Sequence, residues 1–204
     1  MNTYFLPKFI LLLILCSLLF NSFTANAEST IPVIQNINGK HVVYLPPAMK
    51  NALLNYDSTF KPWDQDDYLP SLISFYTFTS TQAPFAVIGD FNGDTTIDII
   101  LQGHTSNNSI LLAIFSNYKG YKILELAKSM LINPKEEWYG IGNNQKEYGF
   151  WVYLTLVSPG RIKSPYEKKG LYLKTHAFQI VAFEKAAVLY YYKKGEFIAY
   201  ITAD

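Results

Sequence analysis

Over most of its length the chain alternates short apolar runs with polar turns, the period-two signature of half-buried strands. From Phe85 the pattern predicts four strands, Phe85–Gly89, Ile97–Leu101, Ile110–Ser116 and Tyr121–Leu126, forming one antiparallel meander. A polar break over residues 134–147 precedes a long aromatic strand, Tyr148–Val157, and a second polar interval, Ser158–Lys169. Leu171–Lys174, Ala177–Phe183, Ala187–Tyr192 and Phe197–Thr202 then predict a second four-stranded meander, with Lys194-Gly195 at its last turn. Upstream, apolar stretches on either side of Asn38-Gly39 predict a hairpin. Pro46-Pro47 opens a short helix with Met49, Ala52 and Leu53 on one face. Tyr56–Leu69 is irregular, aromatic and acidic. The expected fold is mainly β (all-β or α+β), with two antiparallel four-stranded meanders packed together and a short N-terminal helix. Each meander has the strand count of a propeller blade, but two blades do not close a propeller.

The amino terminus departs from this pattern. Lys8 precedes an apolar run, Phe9–Phe20, and Ala25-Asn26-Ala27 supplies the small residues of a cleavage site. These are the parts of a secretory signal peptide over residues 1–27, leaving a single β-rich domain over residues 28–204. The run falls short of the roughly 20 residues that span a bilayer, so no stable membrane insertion is expected after cleavage. The expected location is exported, either periplasmic or extracellular.

Composition sharpens the picture. The 16 Tyr, 14 Phe and 3 Trp favour strands. The 17 basic and 16 acidic residues give no footprint for nucleic acid. Lys8 is the only charged side chain in the signal, so the remainder is neutral. The single cysteine, Cys16, leaves with the signal, so the exported domain has neither disulfide nor thiol nucleophile. Its stability must come from a core, a metal, or both.

One segment carries legible chemistry. Residues 89–101 read GDFNGDTTIDIIL, which places Asp90, Asn92, Asp94, Thr96 and Asp98 at positions 1, 3, 5, 7 and 9 of a loop. Alternate residues of a tight loop point inward, and a hard cation such as Ca²⁺ takes about six to eight oxygens, with position 7 giving its carbonyl. Thr95 and Leu101 stand where an EF-hand needs Gly and Glu, and the flanks read as strands. The same Asn-Gly turn also fits a plain hairpin. Yet a hairpin alone requires none of three mutually repelling carboxylates. Phe91-Asn92-Gly93-Asp94 within this segment resembles the calcium loop of FG-GAP and VCBS-type repeats, found in β-propellers and in many exported bacterial proteins. The resemblance covers about fifteen residues and occurs once; Thr95 replaces the commoner Gly. It implies Ca²⁺ held by Asp90, Asn92, Asp94, Thr96 and Asp98.

Other candidates are weaker. His41, His104 and His176 have no second ligand at metal spacing. No GxSxG elbow is present. Asp64/Asp67 and Glu136/Glu137 are carboxylate pairs in polar stretches, where acids are usually solvated. The run from Phe60 to Tyr68 mixes aromatic faces with acids, suited to a sugar ring or a basic partner, or to pinning a loop on the sheet. The leading expectation is a non-catalytic, calcium-binding binding or structural module with an unknown protein or glycan partner. The alternatives are a secreted or periplasmic hydrolase acting on envelope polymers, and an envelope inhibitor or immunity protein.

Overall fold

A computed structural model describes residues 29–141, 145–163 and 170–203; the signal segment, residues 1–27, lies outside the described residues. Strands β1 (Val33–Ile37) and β2 (Lys40–Tyr44) form the hairpin expected around Asn38-Gly39, whose φ values of 53° and 85° are those of a primed turn. Helix α1 (Pro47–Tyr56) has Pro in its first turn, where no N–H is needed, and buries Met49 and Leu53. After β3 (Lys61–Pro62), a 3₁₀ turn over Gln65–Asp67 is fixed by a capping box between Asp64 and Asp67. Helix α2 (Pro70–Phe75) then leads to β4 (Gln82–Ala83).

The first meander comprises β5 (Ala86–Gly89), β6 (Asp98–His104), β7 (Asn108–Asn117) and β8 (Gly120–Met130). It grows to six strands because β4 pairs with β5, and β3 pairs with the part of β6 that β5 leaves free. A register shift lies between Leu111 and Leu112, where β8 carries one extra residue. Both faces of the central strands are apolar, and both are covered. Ile99, Leu101, Ile110, Leu112 and Ile114 pack with Met49 and Leu53 of α1 and Leu72 of α2. Val87, Ile100, Leu111, Ala113 and Phe115 pack with residues of the second sheet.

The second half contains β9 (Trp138–Ile141), β10 (Gln145–Tyr148), β11 (Val152–Val157), β12 (Gly160–Ile162), β13 (Leu171–Leu173), β14 (Ala177–Ala182), β15 (Ala187–Lys193) and β16 (Glu196–Ala203). The second sheet has four strands, ordered β11-β14-β15-β16. Its membership differs from the sequence expectation in one strand. The segment Leu171–Leu173 pairs instead with β12, and β11 takes the vacant place beside β14. The polar break at 134–147 holds a hairpin, β9 with β10. The long strand expected over Tyr148–Val157 is divided at Gly149, whose φ is 136° and whose absent Cβ would stand 2.7 Å from the Tyr68 backbone. Only glycine fits there, so Tyr148 ends β10 while Val152 begins β11.

Chain β11–β12 and chain β13–β14 are one long hairpin with a bend. Val157 pairs with Ala177 and Gly160 with Leu173, so two residues on one side oppose three on the other, Lys174, Thr175 and His176. Beyond the bend, Leu171, Leu173 and Ile162 fold over the outer face of the second sheet against Leu189 and Tyr191. The Tyr190–Tyr192 run alternates as a strand must: Tyr190 and Tyr192 face the first sheet, Tyr191 the outer cluster. The two sheets also meet edge to edge, where Leu154 N donates to Pro84 O at 2.9 Å and Leu156 N to Gln82 Oε1 at 3.0 Å. Among the described residues no helix is long and apolar enough to cross a membrane.

The inter-sheet core centres on Phe178, fully buried, with its ring 6.3 Å from Phe91 edge to face and 5.3 Å from Tyr190 in a stack. Phe178→Ala should lower stability in urea by about 3–5 kcal/mol, the usual cost of an aromatic cavity. A loss below about 1 kcal/mol would show that the sheets are not held at this point.

Candidate functional site

The turn between β5 and β6 holds all five residues predicted to bind a cation. Phe91 anchors it: the side chain is fully buried in the inter-sheet core, so the polar residues on either side turn outward. Asp90 accepts the Gly93 N–H at 2.7 Å through Oδ1 and the Thr95 N–H at 3.0 Å through Oδ2. Asn92 Oδ1 accepts the Asp94 N–H at 2.9 Å, and its amide donates back to Asp94 Oδ2 at 3.1 Å. Asp94 Oδ1 accepts both the N–H of Thr96, at 2.9 Å, and its hydroxyl. The winding requires a left-handed backbone at Gly93, φ 81°, and again at Thr95, φ 69°. A β-branched residue is strained in that region. Glycine at position 95 would adopt the same φ without that strain.

Asp98 closes the turn from inside the protein. Its side chain is fully buried; Oδ1 accepts the Ser116 N–H at 2.9 Å and Oδ2 the Phe91 N–H at 3.1 Å. Burial, and after it the charges of Asp94 and Asp90, push its carboxyl up to about 7, against the lowering pull of those two N–H groups. Asp94 moves the other way. Partial burial opposes the shift, but the hydrogen bonds from Thr96 and Asn92 prevail and hold its carboxyl below the ordinary value. Ser116 adds a further tie, since its hydroxyl donates to Ile97 O at 2.7 Å while its carbonyl accepts from Thr96 Oγ1 at 2.9 Å.

The turn rests on the bend of the long hairpin. His176 N donates to Asp90 O at 3.0 Å, and Thr175 Oγ1 to Phe91 O at 3.1 Å. The approach is close, for a Cβ on Gly93 would stand 2.9 Å from Thr175 Cγ2 and one on Gly89 2.9 Å from the His176 ring. Thus Ser116, Thr175 and His176 are part of the site's frame. No local pattern marks them, because they reach the turn only through sheet pairing and sheet packing.

The expected ligand set of three carboxylates, one amide oxygen and the Thr96 backbone carbonyl is the hard-oxygen chemistry that Ca²⁺ takes. Among the described residues, no three His, Cys, Asp or Glu side chains are gathered as a ready metal centre; the carboxylates fold back on the turn's N–H groups. The Asp90 and Asp98 oxygens and Asp94 Oδ2 each accept one bond and keep a lone pair, while Asp94 Oδ1 accepts two; the mutual repulsion of Asp90, Asp94 and Asp98 is what a cation would offset. The residues therefore fit Ca²⁺ in chemistry and charge.

The remaining candidates have structural surroundings. Asp64 and Asp67 cap the 3₁₀ turn, and Glu136 accepts from the Asn133 amide at 2.8 Å. His41 Nδ1 lies 2.8 Å from Gln65 Oε1. Phe60 and Tyr68 are buried, while Trp63 lies against His104 at 4.4 Å and Phe150 at 4.8 Å between ring centres. The chain matches no family model, no curated protein and no solved structure, so the likeness to FG-GAP loops rests on residues 89–101 alone.

Two outcomes follow from the turn's geometry. Thr95→Gly should stabilise the fold by about 1 kcal/mol in urea by removing the strained φ. An unchanged or lower midpoint would show that the Thr95 hydroxyl, which donates to Asp94 O at 2.6 Å, outweighs the strain. Between the ordinary value of 3.8 and about 7, the folded chain keeps a proton on Asp98 that the unfolded chain has lost. In chelator, the stability contributed by this group should therefore fall as pH rises through that window. The difference in urea midpoint between wild type and Asp98→Asn, measured from pH 4 to pH 7, reads this slope; a difference constant with pH would contradict it.

Proposed function

We propose that the protein is an exported, non-catalytic calcium-binding module, periplasmic or extracellular, in which Ca²⁺ at the Asp90–Asp98 turn locks the two sheets together. The observation that carries the reading is the position of the turn. It joins β5 to β6, is tied to β7 through Ser116, and is docked on the second sheet's hairpin through Thr175 and His176. Asp90, Asn92, Asp94, Thr96 and Asp98 would hold the ion. Bound there, Ca²⁺ supplies positive charge and oxygen coordination that offset the repulsion of three carboxylates. The protein's own part is to hold Asp98 in place from within and to keep Phe91 wedged in the core.

A structural ion of this kind needs only the affinity common in extracellular modules, about 10⁻⁴–10⁻³ M, which suits constant occupancy better than sensing. The neutral charge balance argues against nucleic acid, which leaves a protein or a glycan as the partner.

Titration calorimetry and thermal melts with and without Ca²⁺ test the reading. At ten times Kd the ion should raise Tm by about 3–6 °C. Asp94→Ala, at an exposed position, should remove the response while leaving a folded protein. No binding heat and no shift in wild type, or the same shift in Asp94→Ala, would refute it.

A further inference from the structure

The face of the first sheet that carries Ile100 and Ala113 into the inter-sheet core also carries Gln102, which pairs with Leu111, itself paired with Ala127. Ser109, two residues before Leu111 on the same strand, shares that face. A single cavity of about 260 Å³ opens over Gln102, Leu111 and Ser109, beside Val152 at the start of β11. Aromatic rings wall it. Trp63 N donates to Gln102 O at 3.2 Å, which seats the indole next to the amide. The Trp63 ring lies 4.8 Å from Phe150, and Phe150 lies 5.6 Å from the buried Tyr68. Backbone bonds from Phe150 N to Asp67 O, 2.7 Å, and from Leu69 N to Phe150 O, 3.1 Å, hold these walls together.

The polar groups in the cavity are fixed in place. The buried Tyr68 hydroxyl donates to Gln102 Oε1 at 2.7 Å and so orients the amide. The amide N–H groups meet no acceptor among the described residues, yet the nitrogen is not sealed from solvent, so they are presented to the cavity. Ser109 Oγ accepts the Ile132 N–H at 3.0 Å and keeps its own proton to give. No carboxylate lines the cavity. Lys128 does line it, but pairs with Ile110 on the helical side, and its ammonium lies 3.7 Å from Glu125. A ligand that fits is therefore uncharged, brings oxygen acceptors, and offers an apolar face to Trp63 and Phe150. A neutral pyranose has all three, with hydroxyls around its rim and C–H groups on its faces. Ser129 and Ile132 at the cavity are exposed, which leaves an exit for the rest of a sugar chain.

We propose that Trp63, Gln102, Ser109 and Phe150 form a subsite for one neutral sugar ring of a glycan. The subsite takes up the glycan partner of the function proposed above, but requires no ion at the acidic turn. Side-chain amide and indole NMR signals are followed in chelator and again in Ca²⁺ during titration with cellotetraose, mannotetraose and chitotetraose. Tetragalacturonate and choline, both in chelator, are the charged controls. At least one neutral tetrasaccharide should shift the Gln102 amide and Trp63 indole signals saturably at millimolar concentration, in both buffers. Gln102→Glu keeps an acceptor for Tyr68 but removes both N–H donors; it should weaken binding about tenfold, the worth of one hydrogen bond. Ser109→Ala, which leaves that pair untouched, should do the same. Tyr172→Ala, at an exposed aromatic elsewhere, should not alter it. Sugar binding in chelator supports the subsite even where calcium melts show no response. Binding seen only with Ca²⁺, affinity unchanged in both Gln102→Glu and Ser109→Ala, tighter binding of tetragalacturonate or choline, or no shift with any of the three sugars would overturn it.

Discussion

The constraint on which this structure depends is that strands β5, β6 and β7 are apolar on both faces. Val87 and Ile88, Ile99 and Ile100, and Leu111 and Leu112 alternate across the sheet, and every one of them is buried. At about 25 cal/mol for each Å² of apolar surface removed from water, neither face tolerates exposure. The sheet must therefore find two covers. On one side α1, α2 and the first hairpin supply Met49, Leu53, Leu72 and Ile34; on the other, the second sheet supplies Leu154 and Phe178. A two-faced sheet between unlike covers accounts for the order of elements along the chain, with the helical cover coming first and the second sheet last.

That arrangement makes the acidic turn unusual. It lies where the buried sheet, its second cover and solvent meet, so one end of the turn is in the core and the other in water. Phe91 and Asp98 share the buried end, one apolar and one ionisable, and Asp98 is tolerated there because two backbone N–H groups bond its oxygens. Asp94 at the wet end is exposed, and its charge is stabilised by local donors. Identical side chains thus take opposite shifts within five residues, because burial prevails at Asp98 and hydrogen bonds from Thr96 and Asn92 prevail at Asp94. The same contrast gives a cation something to do: it would reduce repulsion on the side where water cannot.

At the other end of β6, strand register alone brings distant residues into one row. Lys61 and Ser129 are far apart in sequence, and the row that links them exists because four strands keep one register. A slip of one residue at β3 would turn Lys61 to the helical face and Phe60 to the solvent side. The fit of the Phe60 ring against Gly103 holds that register in place.

Local chemistry was legible in the sequence. The Asn38-Gly39 hairpin, the Pro-started helix, the first meander and the turn carrying Asp90 to Asp98 follow from turn residues, apolar alternation and oxygen spacing, all of which act over a few residues. The tertiary structure decided which strands are neighbours. Leu171–Leu173 reads as a sheet strand as plainly as Val152–Val157 does, and only the bend at Lys174–His176 and the packing over Leu189 send one outside and the other in. Gly149 divides a run that has no local reason to break, because the obstacle is the backbone of Tyr68, distant in sequence. Ser116, Thr175 and His176 reach the acidic turn by the same means. Strand pairing and packing join residues many positions apart, and a pattern with a period of two records which face a side chain takes but not what it meets there.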